Sequence, residues 1–208
     1  MRKANIYGTT RQGGGSSNCE NGCGVVYELS KVNGVLQESI LHAFTGWPPN
    51  AVPGDFYDGD DPYWCTPALD ASGDIYGTTY FGGLYEYSGT SGTVWKLTPS
   101  GGGEFPYQVI YNFDRFVQSD DGSNPSAGLT VGPNGNLYGT TYFGGQNDDG
   151  AVFSLATDGS SEGTLFSFNV SDGENPDAPV VFDYNRDILG TSVEGGSTGS
   201  GVVFAIIP

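Results

Sequence analysis

Ile6-Tyr7-Gly8-Thr9-Thr10 returns as Ile75-Tyr76-Gly77-Thr78-Thr79, again as Leu137-Tyr138-Gly139-Thr140-Thr141, and in worn form as Ile188-Leu189-Gly190-Thr191-Ser192. The spacings are 69, 62 and 51 residues. They vary while the motif holds, as in a repeat fold whose insertions fall in loops. Further signatures travel with this one. After a Gly-Gly loop come Gly24-Val25-Val26-Tyr27-Glu28-Leu29, Gly92-Thr93-Val94-Trp95-Lys96-Leu97, Gly150-Ala151-Val152-Phe153-Ser154-Leu155 and Gly201-Val202-Val203-Phe204-Ala205-Ile206. Most of these alternate apolar and polar residues, as a strand with one buried face does. A third strand is expected at Leu41-His42-Ala43-Phe44, Ile110-Tyr111-Asn112-Phe113 and Leu165-Phe166-Ser167-Phe168. A fourth follows an Asp-Gly loop, at Pro67-Ala68-Leu69, Ala127-Gly128-Leu129-Thr130-Val131 and Pro179-Val180-Val181-Phe182, before a tight turn such as Pro133-Asn134-Gly135-Asn136 leads back to the first motif.

Four short antiparallel strands per copy predict an all-β fold, a β-propeller of four-stranded blades. Solenoid repeats are typically shorter, about 20–45 residues. The whole chain, 1–208, reads as one propeller domain with repeats at approximately 5–65, 66–125, 126–176 and 177–208. With the strand after the Asp-Gly loop innermost, the successive blades hold three, four, four and three strands. Apolar faces are then left over at both ends. A stretch of a larger closed ring, or a small four-bladed ring, is expected ahead of a homo-dimer that completes a propeller.

Composition agrees with short strands and tight turns. The chain has 208 residues, 35 of them glycine, and is 37% hydrophobic, enough for a sizeable core. A net charge of −17 with only 7 basic residues excludes nucleic acid as a partner, because neutralising phosphate needs Lys and Arg. No stretch approaches the roughly 20 apolar residues of a membrane-spanning helix, so no membrane insertion is expected. Met1-Arg2-Lys3-Ala4 runs straight into repeat sequence; a secretion signal is expected to have been removed or to lie outside this stretch.

The motifs resemble the GloVer (Gloeo/Verruco) tandem repeats, bacterial proteins of propeller fold. The third copy is the most similar, from Gly135-Asn136-Leu137-Tyr138-Gly139-Thr140-Thr141 through Ala151-Val152-Phe153-Ser154-Leu155. Strand order is also similar, more loosely, to NHL and gluconolactonase-like propellers. The resemblance implies an exported or surface protein, often held by a C-terminal anchor, and no biochemical activity that carries over. No such anchor is read at Ile206-Ile207-Pro208, and the insertions in the first and second copies depart from the family pattern.

In a four-stranded blade the loop after the second strand and the loop leading to the next blade open on one face. Here these are the most variable loops and the richest in aromatic, Gly and Asp residues, which makes that face the candidate functional surface. Tyr80, Phe81, Tyr142 and Phe143, in the two Thr-Thr-Tyr-Phe-Gly-Gly runs, can stack on a sugar ring. Their repetition equally fits packing between blades. The insertion from Thr45 to Tyr63 adds Trp47 and Tyr57, with Trp64 beside it; it forms either a cleft for a carbohydrate or peptide or a plug over an open edge. The Asp-Gly loops offer Asp58, Asp60, Asp120, Asp121 and Asp172 as oxygen donors for calcium, although Asp at such places more often caps a turn.

Catalysis finds little support, since His42, the only histidine, aligns with Tyr111 and Phe166 at a packing position and leaves no triad or His-based zinc site. Cys19, Cys23 and Cys65 allow three disulfide pairings with one thiol left over; Cys19 with Cys23 is the expected bond and Cys65 the alternative partner. Paired cysteines, few lysines and the Asn169-Val170-Ser171 sequon favour an extracellular or cell-surface home. The expected function is a non-catalytic propeller presenting one face to a glycan or protein ligand, glycan first. The alternatives are a carbohydrate-active enzyme using acidic loop residues and a structural surface repeat.

Overall fold

The glycine of each Tyr-Gly-Thr-Thr strand leaves a gap that an aromatic ring from the adjoining strand fills. Gly8, Gly77, Gly139 and Gly190 stand across the ladder from Tyr27, Trp95, Phe153 and Phe204. A Cβ on any of them would lie between 2.2 and 2.7 Å from that ring. The ring lies over bare backbone and shields it, a recurrent way of protecting a glycine within a sheet. The two most regular motifs of the sequence are thus the halves of one contact.

The computed structural model describes residues 5–52, 54–84, 91–114 and 120–207, and every regular element among them is a β-strand. The Met1-to-Ala4 start and Pro208 lie outside the described residues. Four antiparallel sheets follow the four copies. Sheet one holds Ile6–Thr10, Val25–Val32 and Val35–Ala43; sheet two holds Ala68–Leu69, Ile75–Thr79, Thr93–Leu97 and Tyr107–Asn112. Sheet three holds Thr130–Val131, Leu137–Thr141, Ala151–Leu155 and Glu162–Ser167, and sheet four Val181–Phe182, Ile188–Thr191 and Val203–Ile206. The expected sequence of three, four, four and three strands is what the sheets show, with the short strand after the Asp-Gly loop at one edge.

Strand alternation sends successive side chains to opposite faces of each sheet. Ile75, Trp95 and Leu97 of sheet two face back to sheet one, where they meet Val26 and Phe44. Tyr76 and Val94 face forward and meet Leu137, Phe153 and Leu155 of sheet three. Val152 and Tyr138 meet Ile188, Phe204 and Ile206 of sheet four in the same way. The core is therefore a series of three inter-sheet layers, the arrangement of propeller blades.

The first threonine of the motif crosses each of these layers. Thr9 Oγ1 donates to the Cys65 carbonyl at 2.6 Å, Thr78 Oγ1 to Ala127 at 2.8 Å and Thr140 Oγ1 to Ala178 at 3.2 Å. Each acceptor belongs to the inner segment of the following blade. These bonds fix the fold as a β-propeller whose blades are pinned near the axis. A closed four-bladed ring is not formed, because Ile6 on the rear of sheet one and Val203 on the front of sheet four are both exposed.

Candidate functional site

The Asp-Gly loop of one copy and the Gly-Gly loop of the next meet on one face and pair with each other. Phe56–Asp60 pairs with Phe81–Leu84, Gly122–Ser123 with Phe143–Gly144, and Glu174 bridges Glu194. One residue in each Asp-Gly loop joins two blades. Asn124 donates its N–H to the Ser91 carbonyl at 2.6 Å and accepts from the Tyr142 N–H at 3.1 Å, while its side-chain amide donates to the Tyr80 carbonyl at 3.0 Å. Asn175 repeats this clasp one blade on, to Asp149, Val193 and Tyr142. Both asparagines have positive φ, 56° and 53°, a conformation that Asn tolerates better than most residues.

The first copy has Asp61 in this place, also at positive φ, with the same backbone bonds to Cys23 and Tyr80. A carboxylate has no N–H to give the carbonyl that Asn would hold. The residue that aligns with Tyr80 and Tyr142 is here Arg11, whose Nε lies 2.7 Å from Asp61 Oδ1. Amide clasp and tyrosine have been replaced together by an ion pair, and the Arg11 guanidinium sits 4.8 Å from the centre of the Tyr63 ring. The hydrogen bond to Asp61 raises the guanidinium's pKa, so this cation is permanent.

Arg11, Asp61, Tyr63, Tyr80, Phe81, Ser126, Tyr142 and Asp177 line a cleft of about 400 Å³ on this face, within the range of about 300–1,000 Å³ typical of ligand sites. Every copy contributes to it. Tyr80 and Phe81 meet edge to face at 4.7 Å, Tyr63 and Tyr80 at 6.2 Å, and Trp47 stands on Phe81 at 5.4 Å. Burial raises the phenols of Tyr80 and Tyr142, and nearby acids and phenols add to it, so both remain neutral hydroxyls. Two polar atoms of the lining residues have no partner: Ser126 Oγ and Asp177 Oδ1 are buried without a hydrogen bond. Such orphaned groups call for a water or a ligand.

Of the aromatic residues singled out from sequence, Tyr80, Phe81 and Tyr142 reach the cleft and Trp47 backs it. Phe143 packs edge to face on Tyr142 in the loop pairing, 4.8 Å away. Trp64 is exposed against Tyr63, and Tyr57 lies in the strand of the insertion, its hydroxyl donating to Asp55. The strand of that insertion, Phe56–Asp60, joins the loop-face pairing by lying beside Phe81–Leu84. Arg11, Ser126 and Asp177 were missed. The signal for them is divergence at two aligned places: Arg11, Tyr80, Tyr142 and Val193 follow the recurring threonine pair or its Thr-Ser form, and Tyr63, Ser126 and Asp177 follow the recurring proline.

The five acids considered for calcium are not brought together. Asp58, Asp121 and Asp172 each accept a backbone N–H across their own loops, from Thr45, Asp114 and Asn169, at 3.0, 2.7 and 2.8 Å. Burial pushes the Asp58 carboxyl up, but bonds from His42 and Thr45 outweigh it and leave it below its ordinary value. His42 fills its packing place, stacked on Tyr107 at 3.7 Å with its Nε2 2.9 Å from Asp58. Asp120 is exposed. Asp60, pushed up to about 6 by burial and then by Asp61, lies within 4.8 Å of the sulfurs of Cys19 and Cys23. Those sulfurs are joined in a disulfide, so this trio is no metal site. Cys65 is left as a buried thiol, which burial pushes up to about 11.

No curated protein matches this sequence. Among solved structures, an oxidoreductase from Thermus thermophilus described as a glucose dehydrogenase matches with a TM-score of 0.50 and 15% identity. The match covers 97% of this chain and 65% of that one, so the chain spans about two-thirds of the length of this neighbour, and the likeness concerns the fold alone. The sequence profile that matches covers residues 61–208, which takes in sheets two, three and four, and the chain belongs to the Gloeobacter/Verrucomicrobia repeat family.

Proposed function

We propose that the loop face is a non-catalytic binding surface of an extracellular or cell-surface propeller, and that its ligand is a glycan. The observation that carries this reading is the pair of unpartnered buried atoms, Ser126 Oγ and Asp177 Oδ1, on residues that line a cleft together with Tyr63, Tyr80, Phe81 and Tyr142. A sugar offers hydroxyls to a carboxylate oxygen and a serine while its C–H face lies against an aromatic ring. The Cys19–Cys23 disulfide supports an oxidising compartment.

A glycan array with the purified chain, with and without chelator, is the test. Binding is expected to be independent of calcium and to fall about ten- to hundred-fold in Asp177→Ala, since hydrogen bonds to charged groups contribute about 1.5–3 kcal/mol. A similar loss is expected in Tyr80→Ala. Binding that survives both substitutions removes the cleft from the reading. Turnover of a bound glycan that Asp177→Asn abolishes replaces it with an enzyme.

A further inference from the structure

The three internal inter-sheet layers show what covers the front of a sheet in this chain. Val26, Val94 and Val152 occupy one aligned place on successive fronts and are 0% exposed. Each receives from the next sheet a triad of Ile or Leu, aromatic, and Leu or Ile: Ile75-Trp95-Leu97, Leu137-Phe153-Leu155 and Ile188-Phe204-Ile206. Val203 is their counterpart in sheet four, opposite Thr191 as Val152 is opposite Thr140. It is 83% exposed, with Val181 on the same front 57% exposed.

The matching triad exists at the other end of the same molecule. Ile6, Tyr27 and Leu29 stand on the rear of sheet one in the register of the three buried triads, with Gly8 beneath the Tyr27 ring. No sheet covers them. Ile6 is 57% exposed where Ile75, Leu137 and Ile188 are 0%, 0% and 3% exposed. Ile40, paired with Tyr27 and so on the same rear face, is 59% exposed.

We propose that a second copy of this chain docks the rear of its sheet one on the front of sheet four, head to tail, and continues the internal series across the molecular boundary. The faces in contact differ, so the contact is heterologous and either closes as a ring or extends. Among the described residues sheet one has no inner strand, so none of them offers the carbonyl that Thr9, Thr78 and Thr140 find. Apolar contact holds the copies. The net charge of −17 per chain opposes their approach, so salt strengthens the association by screening.

Sedimentation of the full chain across the micromolar range tests this. Mass above the monomer is expected, rising with concentration and with salt. Val203→Glu and Ile6→Glu are each expected to weaken association about a hundred-fold or more, because each would bury an unpaired charge. Both positions are exposed in the single chain, so the circular dichroism and melting temperature of each variant should match the parent. Thr191→Val should associate like the parent. Mixing the two Glu variants should give a one-to-one pair and nothing larger, since each retains the face that the other lacks. A monomer at every concentration and salt overturns the proposal. So does association unaffected by either Glu variant, or a mixture that fails to pair.

Discussion

Asn124 joins two blades through three hydrogen bonds, and substitution separates its side chain from its backbone. Ala or Gly keeps the backbone bonds to Ser91 and Tyr142, and only the amide bond to the Tyr80 carbonyl is lost. That bond contributes about 1 kcal/mol. The residue is buried at φ 56°, so Ala adds the left-handed penalty of about 1–2 kcal/mol, for a total of about 2–3 kcal/mol. Gly avoids that penalty but frees the unfolded chain, adding about 0.4–1 kcal/mol, for a total of about 1.5–2 kcal/mol. Asn124→Ala is therefore expected to be less stable than Asn124→Gly by about 0.5–1 kcal/mol. Urea unfolding with unchanged m measures this directly. Equal stability of the two variants, or a more stable Ala, refutes the claim that the clasp is held in a strained backbone conformation.

Two further predictions concern carboxyls and a glycine. Burial, reinforced by nearby acids, pushes Asp60 from 3.8 up to about 6 and Glu162 from 4.5 up to about 7. The folded protein holds these protons more tightly than the unfolded chain, so the stability they contribute is complete below the unfolded values and is lost as pH rises through about 6 and 7. Asp58 is lowered and acts with the opposite sign, its contribution being lost on acidification. Unfolding midpoints between weakly acidic and neutral pH should fall, and Glu162→Gln should flatten the upper part of the fall; an unchanged slope in that variant removes Glu162 from the account. Gly77→Ala would place a Cβ 2.2 Å from the Trp95 ring and 2.7 Å from the Cys65 sulfur and should cost about 3 kcal/mol. Gly8→Ala should cost clearly less, because the Tyr27 ring on the uncovered rear of sheet one has room to swing; equal costs contradict the packing argument.

The blade pattern was legible because each blade repeats the same contacts. A ring over a glycine, a valine on the front and a threonine reaching the next inner strand recur wherever two blades meet, so selection for packing writes the same letters each time. The loops resisted for the opposite reason. Tyr80 and Tyr142 were visible as repeated aromatics, but Arg11, Ser126 and Asp177 sit at aligned places where the copies disagree. No local pattern marks Asp61 and Arg11, 50 residues apart, as partners. The Asp-Gly carboxylates read as metal donors because their composition is the same whether they face a cation or cap their own loop. Only the bonds to Thr45, Asp114 and Asn169 decide that.

The exchange of an amide for an ion pair at the first junction makes the order of the repeats part of the information the chain carries. An Asp61-type loop set beside a Tyr80-type neighbour would turn a carboxylate toward a carbonyl, and an Asn124-type loop beside Arg11 would leave that cation without its partner. Copies that look interchangeable as sheets are therefore keyed at their junctions. A shuffled array of the same four units would contain mismatched joints, and recombination within such a gene would be tolerated only where both halves of a key move together.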